Sequence, residues 1–314
     1  MNTKIIKINS TKPQKKYIYL AAKSIQKGGL VAFPTETVYG LGASIYNENA
    51  LKNIFKAKGR PQDNPLIVHI SNSEQLKELT SHISLKSLSL TRKLWPGPLT
   101  LILKKNPCIS NVVSAGLDSI AIRMPSNTIA LELIKESGVP IAAPSANIST
   151  RPSPTHAIHV IDDLNTKIDV ILDGGDVEIG VESTVIDMTR EVPELLRPGK
   201  ITREEIEEVI GPINESPYTS QKPKSPGMKY KHYSPNAKVI IIESQKNYKE
   251  KLQEYSNKKI KLLTYKDDIE MAKKLFYDFR ECDKEGVEII LVQRVLEEGL
   301  GKAIMNRLRK ASSQ

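Results

Sequence analysis

Along the first two-thirds of the chain, short apolar runs alternate with longer amphipathic stretches. The runs "LVAF" from Leu30, "PLIVHI", "PLTLILK", "SIAIRM", "PIAAP", "DVILD" and "STVIDM" are strand-sized and bounded by Pro, Gly or polar clusters, which predicts β-strands. Between them "NALKNIFKAK" and "TIALELIKESG" carry helical spacing, the second ending in Gly138, a residue suited to a helix C-terminus. Strands mixed with helices, some spaced as hairpins, predict an α/β fold with a mixed sheet.

The pattern breaks at Gly211. The stretch "GPINESPYTSQKPKSPGMKYKHYSPN", 211–236, holds Pro212, Pro217, Pro223, Pro226 and Pro235 and no hydrophobic period. Proline fixes φ and removes donors, so an extended linker is predicted. Beyond it, the strands "KVIIIE", "KIKLLTY" and "VEIILVQ" alternate with helices, the last through "GKAIMNRLRKA". That order predicts a smaller Rossmann-like, three-layer domain with a parallel sheet and right-handed crossovers. The expected organisation is therefore 1–210, a linker 211–236, and 237–314. No G-x-G-x-x-G loop follows the first strand of the last part, so it offers no dinucleotide motif of its own.

Composition narrows the partners. With 39% hydrophobic and 26% charged residues in 314, the chain is ordinary globular protein. No apolar run could span a bilayer and "MNTKIIKINS" lacks a signal-peptide pattern, so a cytoplasmic location without membrane is expected. Cys108 and Cys282 stand far apart and the five histidines are scattered, which argues against a disulfide framework or protein-made metal cage. The net charge of +10 and pI near 9.3 favour anionic partners: nucleotide, RNA or acidic lipid. The lysines are spread without a basic block, which equally fits solvated helix faces.

Candidate chemistry gathers at strand ends. In "KGRPQDNP", Lys58 and Arg60 flank Gly59 just before Pro61, at the end of a predicted helix and ahead of a buried strand. Helix C-capping accounts for Lys56. For Lys58 and Arg60 we favour an anionic ligand, because Arg can fork two phosphate oxygens. In "FPTETVYGLGA" a strand stops at Pro34, and Thr35, Glu36 and Thr37 follow. These suit a helix N-terminus with Thr caps, which also presents N–H groups to an anion. "IAAPSANIS" repeats the arrangement with Ser145, Ala146 and Asn147, where an ordinary turn is equally consistent. Arg123 ends an alternating strand and could grip a carboxylate or lie on the surface; Arg197 follows the apolar run of "LLRPG". Glu182, Ser183 and Thr184 open "ESTVID", and His69 alternates with apolar positions as a structural histidine would. Neither a Walker loop, HExxH nor a nucleophile elbow occurs. Strand ends line the crevice of α/β folds, and this inventory suits charge stabilisation on a phosphate.

Together "FPTETVYGLG", "KAKGRPQDNPLIVHI", "LWPGPLTLIL", "AIRMPSN", "PIAAPSANIS", "ESTVID", "LLRPG", "SPGMKYKHYSP", "LFYDFRECD" and "GLGKAIMNRL" resemble the YrdC-like threonylcarbamoyl-AMP synthases in their two-domain form. The resemblance implies a twisted YrdC-like mixed sheet with helices. It also implies a reaction of L-threonine, bicarbonate (or CO2) and ATP to threonylcarbamoyl-adenylate and pyrophosphate. Its Lys-Arg-Ser-Asn set falls on Lys58, Arg60, Ser145 and Asn147 as catalytic residues. Thr35, His69, Arg123, Ala143 and Ser183 would surround threonine. Arg60, Asn64, Ser119, Ser145, Ser153, Arg197 and Tyr233 would contact ATP, with Mg²⁺ entering on the nucleotide. In such members the linker, with Lys229, Tyr230, Lys231, His232 and Tyr233, reaches over the nucleotide as a lid. Transfer of the threonylcarbamoyl group to tRNA by a downstream complex would follow, and a monomer is expected. Two rivals stand beside it. An RNA-binding module is disfavoured by 5% aromatics. Carbamoyl transfer in hydrogenase maturation is disfavoured by the two lone cysteines.

Overall fold

The computed structural model describes residues 2–216 and 233–313. Eleven strands of the first part form one sheet: β1 (Lys4–Lys7), β2 (Val31–Pro34), β3 (Tyr39–Ser44), β4 (Ile67–His69), β5 (Leu99–Lys104), β6 (Ser119–Arg123), β7 (Ile141–Ala142), β8 (Val170–Asp173), β9 (Thr184–Asp187), β10 (Glu194–Arg197) and β11 (Asn214–Glu215). Their order is β1-β8-β2-β3-β7-β4-β6-β5-β9-β10-β11. Parallel pairs such as β4 with β6 alternate with antiparallel ones such as β2 with β3, so the sheet is mixed, as the spacing predicts.

Both predicted helix signatures hold. Glu48–Lys58 is capped by Asn47, whose side chain accepts from the Ala50 N–H, and it stops at Gly59 with φ 60°. Thr128–Ser137 stops the same way at Gly138 with φ 69°. Positive φ costs glycine least, which is why the chain turns there.

Two stretches differ from expectation. Thr35–Val38 is the turn of the β2–β3 hairpin rather than a helix N-terminus. Pro34 pairs with Tyr39 and Val31 with Gly42, and the Thr35 hydroxyl bonds the Val38 carbonyl at 2.6 Å. Thr suits both turns and caps, so residue type alone did not separate them. Gly42 lies within the strand opposite Val31, and glycine is needed there because a Cβ would lie 2.7 Å from the Phe33 ring. Within 211–236, Asn214–Glu215 is no linker but an edge strand parallel to β10.

Coverage of the large sheet decides where a ligand could sit. On one half, helices Lys15–Gln26 and Thr128–Ser137 bury Ile18, Ile25, Ile129 and Leu133 against Val31, Phe33, Ile141 and Leu172. Register carries that same face across to the other half through His69 opposite Ile141 and Arg123 opposite His69. There it holds a small cluster of Ile67, Ile102, Ala121, Val185 and Leu196, all from strands. No helix residue joins that cluster among the described residues, and Ile67 there lines a cleft. The opposite face is packed throughout by the largest core, including Leu51, Ile54, Val68, Ile122 and Ile186.

The second part forms a parallel sheet of β12 (Lys238–Ile242), β13 (Ile260–Leu263) and β14 (Ile289–Gln293), ordered β12-β14-β13. Tyr248 of helix Gln245–Glu254 packs with Ile240, Ile242 and Leu291. On the opposite face, helices Asp268–Lys284 and Gly299–Ser312 pack with Val239, Ile290 and Val292. Three layers result. Val181 of the first part is buried in this second core. Gly180 beside it touches the Ala272–Lys273 backbone so closely that a Cβ would sit 2.3 Å from a carbonyl oxygen.

Candidate active site

The cleft is lined by residues from many strand ends, among them Thr35, Arg60, His69, Arg123, Ala143, Ser145, Asn147, Ser153, Ser183, Arg197 and Tyr233. Arg123 closes one end. Its guanidinium lies 2.7 Å from buried Glu36, donates to the Thr37 hydroxyl at 2.9 Å and to the Gly97 carbonyl at 3.3 Å. Five N–H groups are available to Arg, so these contacts aim the fork without exhausting it. His69 beside it is held neutral: burial, then the Arg123 charge, pulls its pKa down to about 3. Its Nδ1 is buried and finds no hydrogen-bond partner among the described residues. Ala143 donates its backbone N–H to the Ile67 carbonyl, and its methyl group lies against Gly40, keeping the floor low.

Arg197 occupies the other end because β10 is irregular. Leu195 pairs with Ile186 but Arg197 pairs with Val185, so Leu196 is an extra residue that turns Arg197 onto the cleft face. Arg197 bonds Ser183 at both the carbonyl, 3.0 Å, and the hydroxyl, 3.1 Å. The Ser183 hydroxyl also pairs with that of Thr100 at 2.8 Å. Ser153 bonds a Glu182 oxygen at 2.5 Å. Tyr233 sits at positive φ, 65°, stacked on Phe276 of the smaller domain with 5.3 Å between ring centres. Burial raises its pKa.

The two cations of the Gly59 turn part company. Arg60 lines the cleft, donating to the Asn64 and Pro65 carbonyls at 3.3 and 3.2 Å. Burial lowers its pKa to about 10, which leaves it charged near neutrality. Lys58 does not face the cleft as a free cation. It is buried, and its ammonium donates to the Ser145 carbonyl and, at 2.6 Å, to the Asn147 carbonyl. Burial and then Arg60 lower its pKa. Lysine carries three donors, and here they bind the loop that presents Ser145. Asn147 locks the same loop by donating to the Ile148 and Arg151 carbonyls at 2.8 and 2.9 Å.

Asn64 and Ser119 lie off the lining. Asn64 is buried, and its Oδ1 finds no hydrogen-bond partner among the described residues. Ser119 starts β6 four residues from Arg123, roughly 13 Å along the strand. Ile67 pairs with Ala121, so Ser119 stands level with Pro65, at the sheet end where Arg60 makes its contacts. The lid residues Lys229, Tyr230, Lys231 and His232 lie outside the described residues.

Sequence reasoning placed Glu36 and Thr37 in a capped helix N-terminus rather than beside Arg123, and it assigned no role to Arg151 or Arg307. Arg151 lines the cleft and pairs with Asp163 at 2.9 Å. Arg280 reaches the same carboxylate at 2.7 Å from the second domain. Burial opposes ionisation of Asp163, but Arg280 and Arg151 outweigh it and hold its pKa low. The missed signal was a charge inside an apolar helical stripe: Arg280 follows Phe276 and Phe279, and Arg307 stands between Ile304 and Leu308.

Arg60, Arg123, Arg151 and Arg197 converge around small residues on one cleft of a mixed α/β sheet, an arrangement chemically suited to anions. A family model described as Telomere recombination, for Sua5, YciO and YrdC, matches residues 23–199. One described as Threonylcarbamoyl-AMP synthase, C-terminal domain, matches residues 201–313. A Pyrococcus abyssi protein named threonylcarbamoyl-AMP synthase is 50% identical, covering 94% of both chains. One of that name from Bacillus subtilis is 47% identical over 93% of this chain and 92% of its own. The crystal structure of P. abyssi Sua5 complexed with L-threonine superposes with TM-score 0.94 at 48% identity, covering 99% of this chain and 98% of that one. The chain belongs to the Sua5/YciO/YrdC family, in the two-domain form that carries the threonylcarbamoyl-AMP synthase C-terminal domain.

Proposed function

We propose that the chain is a threonylcarbamoyl-AMP synthase working as a nucleotidyltransferase on Mg·ATP. L-Threonine and bicarbonate condense to the carbamate with loss of water. A carbamate oxygen then bonds the α-phosphorus as the bond to pyrophosphate breaks, leaving threonylcarbamoyl-adenylate. The observation that carries this reading is the convergence of Arg60, Arg123 and Arg197 on one cleft. The threonine-bound relative, at 48% identity, supports it.

Arg123 takes the threonine carboxylate with its uncommitted N–H groups. Thr35, His69, Ala143 and Ser183 surround the rest of the amino acid, His69 as a neutral hydrogen-bonding group. Arg60 and Arg197 take the phosphates with Ser145, Ser153 and Tyr233, while Asn64 and Ser119 meet the nucleotide at the Pro65 end of the sheet. Lys58 and Asn147 keep the Ser145 loop in place. Negative charge builds on the departing pyrophosphate, and fixed cations in a dry site stabilise it. Among the described residues no group of three or more His, Cys, Asp or Glu side chains could hold a metal. Glu182 lines the cleft, but its oxygens are taken by Ser153 and Arg307. In this reading magnesium enters with the nucleotide. The product is a reactive anhydride, suited to a partner that transfers its acyl group to tRNA. No helix among the described residues is long and apolar enough to cross a membrane.

The test is pyrophosphate release from Mg·ATP with threonine or bicarbonate omitted in turn. Dependence on both is expected, and Arg60→Ala should lower the rate on the order of 10²- to 10³-fold. Release that ignores either substrate would overturn the reading.

A further inference from the structure

We propose that Arg307, in the last helix of the second domain, is a positioning residue for the phosphate end of the cleft. The proposal rests on the adenylating reading above and gives the second domain a part in the reaction. Arg307 is fully buried, at 0% exposure, in a helix whose other inward residues include Ala303, Ile304 and Leu308. A buried arginine in an apolar stripe costs desolvation, so its partners must compensate.

Those partners belong to the cleft wall. The Arg307 Nε donates to Glu182 Oε2 at 2.9 Å and Nη2 to the Glu182 carbonyl at 3.3 Å. Nη1 donates to the Pro198 carbonyl at 2.8 Å and to its neighbour Asn306 at 3.2 Å. Glu182 directly precedes Ser183, and Pro198 directly follows Arg197. Ser183 and Arg197 are bonded to each other and line the cleft. One guanidinium thus pins the backbone on both sides of that pair. Its carbon also lies 5.6 Å from the centre of the Tyr233 ring, fixing a third lining residue.

Charge points the same way. Glu182 faces the cleft where phosphates are to bind. Burial opposes its ionisation, but Arg307 and Arg197 hold its pKa below the usual carboxylate range. Arg307 therefore neutralises an anion that would otherwise repel the polyphosphate. Lysine at 307 would keep the charge but lose the planar fork that spans Glu182 and Pro198.

The experiment compares wild type with Arg307→Lys and with the double variant Glu182→Gln/Arg307→Met. Calorimetry measures binding of α,β-methylene-ATP and of L-threonine separately, beside steady-state pyrophosphate release. Wild type that releases pyrophosphate only with both substrates keeps the adenylating reading apart from this one. In Arg307→Lys, we expect a lowered melting temperature, because a buried carbonyl loses its donor, with threonine affinity near wild type. Its analogue affinity should fall and KM for ATP rise on the order of tenfold to a hundredfold, the scale of a displaced group. If that variant does not fold, the double variant, which leaves no unpaired buried charge, should show the same selective loss. Unchanged analogue affinity in a folded variant overturns the proposal. So does a parallel loss of threonine affinity, which marks general loosening.

Discussion

At the Arg123 end of the cleft, the described contacts of the guanidinium run to Glu36, Thr37 and Gly97, all within the large domain. At the Arg197 end, the flanking Glu182 and Pro198 are gripped by Arg307 and Tyr233 rests on Phe276, both from the small domain. One end is anchored by the fold that bears it, the other by a neighbour. On the proposed reading the first end takes an amino acid, which needs a small, fixed pocket, and hairpin and strand supply it locally. On the proposed reading the second end takes a polyphosphate, where clustered cations repel one another; the large domain supplies the buried Glu182 carboxylate, and the small domain adds Arg307, which balances that carboxylate and holds the Glu182 and Pro198 carbonyls.

The contrast breaks most severely at the loop between the two ends. Lys58→Met should abandon the Ser145 and Asn147 carbonyls, each costing about 1–3 kcal/mol if left buried and unpaired. We expect a lowered midpoint in urea unfolding. We also expect pyrophosphate release reduced on the order of a hundredfold, with threonine and ATP use damaged together. A variant that lost turnover but kept full stability would make Lys58 a ligand-facing cation instead.

A smaller effect sharpens the Arg123 end. The folded pKa of His69, about 3, lies below its unfolded value near 6.5. Protonation therefore favours the unfolded chain. The stability this group contributes is whole above pH 6.5 and is lost as pH falls toward 3, by at most about 1.4 kcal/mol per pH unit. His159, also lowered to about 3 by burial and then Arg280, acts in the same window. Thermal melts between pH 7 and 4 should fall more steeply for wild type than for His69→Asn. Equal slopes would show that His69 is not held neutral.

Much of this architecture is legible in the sequence because it is local. "SIAIR" alternates, so Ser119, Ala121 and Arg123 share a face, and the run of strands and stops places Ser145 and Ser183 near strand ends and Arg60 on the turn after a helix. Two features were not legible for physical reasons. "TETV" uses residues that suit a capped helix and a hairpin turn alike, and only pairing of Pro34 with Tyr39 decides between them. Lys58 and Arg60 look equivalent on one turn, yet the last helical position points Lys58 into carbonyls while Gly59 swings Arg60 toward the cleft. Arg307 acts on Glu182 and Pro198, more than a hundred residues away, where no spacing rule reaches; its one trace is an arginine within an apolar stripe.

The most direct measurement is a crossed binding experiment on Arg123→Lys and Arg197→Lys, titrating each with L-threonine and with α,β-methylene-ATP. The expected result is reciprocal: Arg123→Lys weakens threonine about tenfold or more and spares the nucleotide analogue, while Arg197→Lys does the reverse, since lysine cannot reproduce a bidentate grip. Equal loss of both ligands in both variants, or each variant losing the other's ligand, would contradict a cleft with two separately built ends.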